Sequence, residues 1–73
     1  MKLKKDRVVI ASDVIRDGIG IEVYKNNKLV LEIFRSDKDK NRIVNLFQKD
    51  IPLSWIEESL EVFRKEIPRD FND

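Results

Sequence analysis

The hydrophobic pattern from Gly18 to Phe34 describes one β-hairpin with a clean apolar face. Ile19, Ile21 and Val23 alternate on the way up, and Leu29, Leu31 and Ile33 alternate on the way down. Side chains of a strand point to opposite faces with period two, so each triplet lies on one face. The turn decides whether the two triplets share it. A two-residue Asn26-Asn27 loop sets Val23 opposite Val30 and Ile21 opposite Glu32, placing a carboxylate in the apolar row. A three-residue loop, Lys25-Asn26-Asn27, sets Val23 opposite Leu29, Ile21 opposite Leu31 and Ile19 opposite Ile33. It requires a left-handed last residue, which Asn tolerates. A one-residue slip turns a triplet outward, so burial selects the three-residue register.

Arg7 to Ile15 reads as a preceding strand, with a helix as the competing reading. Val8, Ile10 and Val14 form the expected core face, because the other face carries Asp13, which is costly to bury. Arg16-Asp17-Gly18 supplies a turn in which Gly18 is free to take positive φ. Ser36 to Asn41 is a polar loop, and Arg42 to Gln48 a fourth strand whose two faces, Val44 with Leu46 and Ile43 with Phe47, are equally apolar. A helix then runs from Leu53 to Glu66. Leu53, Ile56, Leu60, Phe63 and Ile67 make its stripe, widened by Trp55 and Val62. Ser54 with Glu57 fits a capping box, or Pro52 occupies the first turn; Pro68 ends the helix. Glu57 and Glu58 lie early and Arg64 and Lys65 late, which suits the helix dipole. The expected fold is α+β: a four-stranded antiparallel meander followed by one C-terminal helix on one face (ββββα). The domain spans residues 7–68, between a flexible basic tail at 1–6 and a C-terminal tail at 69–73.

Composition narrows the functional classes. Seventy-three residues make one small domain, which buries only about 60% of the surface of its unfolded chain. Cysteine and histidine are absent. That removes disulfides and Cys/His metal sites, and favours a cytoplasmic protein. The opening residues lead into no stretch of signal-peptide length and no run suits a membrane span. Charged residues make up 40% of the chain but nearly cancel, to +1, which argues against a strong nucleic-acid or anionic-membrane binder.

One helix covers about one face of four strands, leaving the other to solvent or a partner. That open face is expected to carry Gly18, Gly20, Glu22 and Tyr24 opposite Lys28, Val30, Glu32 and Phe34. Tyr24, Val30 and Phe34 are more apolar than a solvated face requires. They are the candidate partner-binding residues, together with Trp55 near the helix start. Scattered surface hydrophobicity, with Phe71 folding back, accounts for the same residues, and Trp55 equally suits the edge of a small core.

Catalysis has little to work with. Ser12, Ser36, Ser54 and Ser59 lack a histidine base, and Glu57, Glu58 and Glu61 sit where an amphipathic helix faces water. Asp37 to Asn41 places oxygens at alternate positions, but an EF-hand loop counted from Asp37 meets Arg42 where it needs glycine and Gln48 where it needs glutamate. No catalytic, metal or cofactor-binding residue is assigned, and no cofactor is expected.

The runs Asp17-Gly18-Ile19-Gly20-Ile21-Glu22, Glu32-Ile33-Phe34-Arg35-Ser36-Asp37 and Ile51-Pro52-Leu53 leading to Ile56-Glu57 resemble a group of short uncharacterised bacterial proteins. The resemblance spans Arg16 to Glu66 and implies a bacterial source and the same small fold, with no activity attached. In topology alone, four strands and a helix are similar to the positive-cofactor-4-like and Pur-type modules that bind single-stranded nucleic acid. The expectation is a small non-enzymatic binding or regulatory protein, immunity- or inhibitor-like, acting through the open sheet face or a sheet edge on a protein partner or a second copy of itself. Single-stranded nucleic-acid binding is the alternative, and no membrane role is expected.

Overall fold

The central hairpin joins β2 (Gly18–Lys25) to β3 (Lys28–Ser36) through the two-residue turn Asn26-Asn27. Both asparagines take positive φ, 51° and 64°. This is the doubly left-handed turn whose twist matches that of a β-ribbon. Lys25 therefore pairs with Lys28 and Tyr24 with Leu29, in place of the expected three-residue loop. Continued unbroken, that register would bring Glu32 opposite Ile21. Instead the pairing shifts between Val23 and Tyr24: Val23 faces Leu31, Ile21 faces Ile33 and Ile19 faces Arg35. One extra residue, Val30, is accommodated as a bulge. Turn chemistry and core burial are both satisfied, at the cost of a single irregularity.

The computed structural model describes residues 7–71; the basic tail expected at 1–6 and residues 72–73 lie outside them. β1 (Val8–Asp13) and β4 (Asn41–Leu46) flank the hairpin, giving one antiparallel sheet in the order β1-β2-β3-β4, and α1 (Leu53–Glu66) follows. The architecture is the ββββα, α+β arrangement read from the hydrophobic periodicity. Strand ends differ. β1 stops at Asp13, so Val14 and Ile15 lie in the turn and are 92% and 95% exposed. In that turn Asp17, not Gly18, takes positive φ, at 54°. Asp17 N–H closes the turn on Val14 O at 3.3 Å.

Helix α1 lies over the two central strands. The core joins Ile21 and Val23 of β2, Val30, Leu31 and Ile33 of β3, and Trp55, Phe63 and Ile67 from the helix region. The buried line of the helix is Trp55–Ser59–Phe63, so the stripe is rotated from the one expected, and Leu53 is 71% exposed. Ser59 at the centre is small enough for close helix–sheet approach. Its Oγ is fully buried and has no hydrogen-bond partner, nor has Trp55 Nε1. The helix starts without a capping box: Pro52 is the N-cap residue and makes no side-chain cap bond, and Trp55 N–H donates to Pro52 O at 3.0 Å. At the other end Ile67 N–H donates to Phe63 O at 2.9 Å.

Arg35 fixes that end to the sheet. It stands on the helix side of β3 and is only 2% exposed. Nη1 donates to Pro68 O at 2.8 Å, while Nε and Nη2 lie 3.0 and 3.3 Å from the two oxygens of Asp37. Asp37 N–H in turn donates to Asp17 O at 2.8 Å. One buried guanidinium thus links the helix exit, the β3–β4 turn and the β1–β2 turn.

Candidate functional site

On the sheet face away from the helix a charged clamp covers Phe34, and this changes the placement of the candidate residues. Phe34 belongs to that face, yet it is 2% exposed. Its ring lies in a trench left by two glycines of the neighbouring strand. A Cβ on Gly18 would stand 2.5 Å from the ring Cζ, and one on Gly20 would stand 2.8 Å from Phe34 Cα. Above the ring, the Arg16 guanidinium carbon sits 4.0 Å from its centroid, a cation–π contact.

Arg16 is held there by two carboxylates. Nη1 and Nη2 donate to the two oxygens of Glu32 at 3.0 and 2.6 Å, and Nε donates to Asp13 Oδ2 at 2.6 Å. Asp13 Oδ1 also accepts the Arg16 backbone N–H at 2.9 Å. Asn45 Nδ2 adds a bond to Glu32 from β4 at 3.0 Å. The hydrogen bonds from Arg16, and secondarily that from Asn45, hold the Glu32 carboxyl below its ordinary range. Asp13 is lowered by its backbone and side-chain bonds to Arg16. The same bonds raise Arg16 further above its already high value, Glu32 acting first. Along the face, half-buried Tyr24 donates its hydroxyl to Glu22 Oε1 at 3.1 Å, which raises the phenol.

The four candidate partner-binding residues therefore separate. Val30, expected on the open face, is 2% exposed and belongs to the core beneath the helix, because the bulge turns it inward. Trp55, 4% exposed, is in the same core, with Lys25 Nζ 5.7 Å from its ring. Tyr24 and Phe34 remain on the reverse face, but Phe34 is sealed by Arg16. The signal for this clamp was local: Asp13-x-x-Arg16 brackets a turn, and an arginine leaving it over a Gly-x-Gly strand has a trench and a phenyl ring beneath it.

Exposed apolar side chains gather instead at the two margins of the sheet. Val9 and Ile10 of β1 are 44% and 49% exposed, and Val14 and Ile15 continue that margin. On the other side stand Ile43, Val44, Leu46 and Phe47. Between β4 and the C-terminal half of α1 runs a groove of about 580 Å³. Its walls are apolar, from Ile33, Val44, Leu60, Phe63 and Ile67, and Arg42, Arg64 and Arg69 bring positive charge to it. Arg42 also donates to Arg69 O and stands 4.6 Å from the Phe71 ring. Among the described residues no group of three or more acidic side chains is placed to hold a metal ion, and no helix is long and apolar enough to cross a membrane.

Compared with protein-family models, with curated proteins and with solved structures, the chain shows no match.

Proposed function

We propose that this chain is a small, non-enzymatic, cytoplasmic bacterial binding protein that acts by gripping another polypeptide at the β4 margin of its sheet. The observation that supports the reading is the distribution of exposed apolar surface. Phe34 on the reverse face is spent on an internal clamp, whereas Val44, Leu46 and Phe47 stand 51%, 58% and 53% exposed beside an apolar groove. Soluble monomers rarely leave such side chains grouped without use. The arginines at the groove favour a partner segment that pairs apolar anchors with carboxylates. A rigid domain of this size that blocks a larger protein, as immunity and inhibitor proteins do, needs no chemistry beyond such a surface.

The test is capture from a lysate of the encoding bacterium, with Val44→Asp and Leu46→Asp chains as controls. Both positions are half-exposed, so the variants are expected to melt within a few degrees of the parent. A polypeptide retained by the parent and lost by both variants supports the reading. An unchanged set of retained proteins overturns it. Single-stranded nucleic acid would show itself by retention that disappears as salt rises.

A further inference from the structure

The two margins of the sheet are protected differently. At β4, Arg42 lies on the strand and the segment carrying Arg69 and Phe71 is tied to it. β1 has no comparable device. From Val8 to Ser12 it carries no charge and no proline, and among the described residues nothing pairs with its outer side. Its apolar residues are exposed on both faces, Ile10 on the helix side and Val9 on the reverse. Sheet proteins ordinarily block such an edge with charge, proline or a bulge.

We propose that β1 pairs with β1 of a second copy, antiparallel, about a two-fold axis through Ile10 and perpendicular to the sheet. The sequence of the strand is self-complementary in this register alone. Ile10 meets Ile10 of the second copy, Val9 meets Ala11, and Val8 meets Ser12. Arg7, the residue just before the strand, then comes to the end of the seam occupied by Asp13 of the second copy, twice over, so opposite charges meet at both ends. Moving the axis to Val9 sets Arg7 against Ala11; moving it to Ala11 sets Val9 against the Asp13 carboxylate. Because the axis keeps each face on its own side, Ile10 pairs with helix-side residues and Val9 with reverse-side residues. The product is a continuous eight-stranded sheet with both helices on one side and both β4 margins free. This interface lies across the sheet from the groove and holds whether or not the groove takes a partner.

A seam made from one strand edge falls at the small end of interface sizes, so self-association is expected in the range of roughly 10–100 µM. The chain contains no cysteine, so a single introduced thiol reports the register. Opposed residues of an antiparallel pair have Cα atoms about 4.5–5.5 Å apart, within disulfide reach. Under mild oxidation Ile10→Cys is expected to cross-link to itself. Val9→Cys and Ala11→Cys are each expected to cross-link poorly alone and efficiently when mixed. Sedimentation of the unmodified chain should show a dimer that Ile10→Lys weakens by about tenfold or more, with the monomer's melting temperature retained. A chain that stays monomeric to about 500 µM, well above that range, overturns the proposal. So does a dimer indifferent to Ile10→Lys. Self-cross-linking strongest at position 9 or 11 overturns the register.

Discussion

The two faces of the sheet are buried by different physics. Under the helix, Ile21, Val23, Leu31 and Ile33 meet Trp55 and Phe63 in a largely apolar layer. On the reverse, a single phenyl ring is buried by the absence of side chains beside it and by the stem and guanidinium of Arg16 above it. The first arrangement is non-directional and tolerates rotation of the helix stripe. The second depends on distances, because Arg16 covers Phe34 only while Asp13 and Glu32 hold it. A domain with one helix can thus bury a ring on its second face without a second layer of secondary structure, provided one long cation is fixed in place.

This contrast predicts an order of sensitivities, which chemical denaturation can measure. Leu31→Ala, at a fully buried position, should cost about 3 kcal/mol through lost transfer energy and a residual cavity. A cost below about 1 kcal/mol would mean that the helix layer collapses onto the gap, and the apolar face would then be the looser of the two. Gly20→Ala should cost about 2 kcal/mol, because its Cβ would approach the backbone of Ile33 and Phe34, which cannot swing away as a flexible side chain can.

Arg16→Ala should also cost about 2 kcal/mol. It leaves the Glu32 carboxylate, 8% exposed at the side chain, without its cation and uncovers Phe34. The Arg16 side chain is 42% exposed, which keeps the loss below that of a fully buried pair. A double-mutant cycle with Glu32→Gln separates the ion pair from the ring cover. If the two substitutions add without coupling, Arg16 acts through Phe34 and Asp13 and not through Glu32.

The acid limb of stability provides a finer probe. The Glu32 carboxyl is lowered in the folded chain, so its contribution is complete above the unfolded value, about 4.3. It fades as pH falls through the lower folded value. Between pH 5 and 3 the parent should therefore lose more stability than Glu32→Gln. Parallel curves would show that Arg16 holds Glu32 without distinguishing its protonation states.

The smallest effect has the opposite sign. Ser59 Oγ is fully buried without a partner on the apolar side. Ser59→Ala should stabilise by about 0.5–1 kcal/mol, through relief of desolvation and a better helix former. A loss of stability would show that the hydroxyl is paired in solution.

Most of the fold was legible in the chain because its periods are long and unmixed. The span of α1 follows from its apolar spacing and from Pro52 and Pro68 at its two ends, and the four strands follow from alternation between turn residues. What was not legible arose where two local rules competed. Asn26-Asn27 favoured a two-residue turn while the apolar rows favoured another register, and only a bulge, invisible to a count of alternating residues, reconciles them. That bulge carries Val30 into the core. The burial of Phe34 escaped for a different reason: alternation assigned its face correctly, but not the depth to which glycines on the next strand let a ring sink. Arg35 lies on an apolar row, and nothing in that row reveals the Pro68 carbonyl and Asp37 carboxylate that it meets.

The strand order also bears on how quickly this architecture is reached. Each strand binds only its immediate neighbour in the chain, so assembly proceeds by successive short closures, and no distant segment has to be found before the sheet exists. Rates of small domains rise as their contacts become more local. The slow encounter left over is that of α1 with the hairpin, and the single tryptophan, which passes from water into that contact, is a built-in fluorescent clock for it.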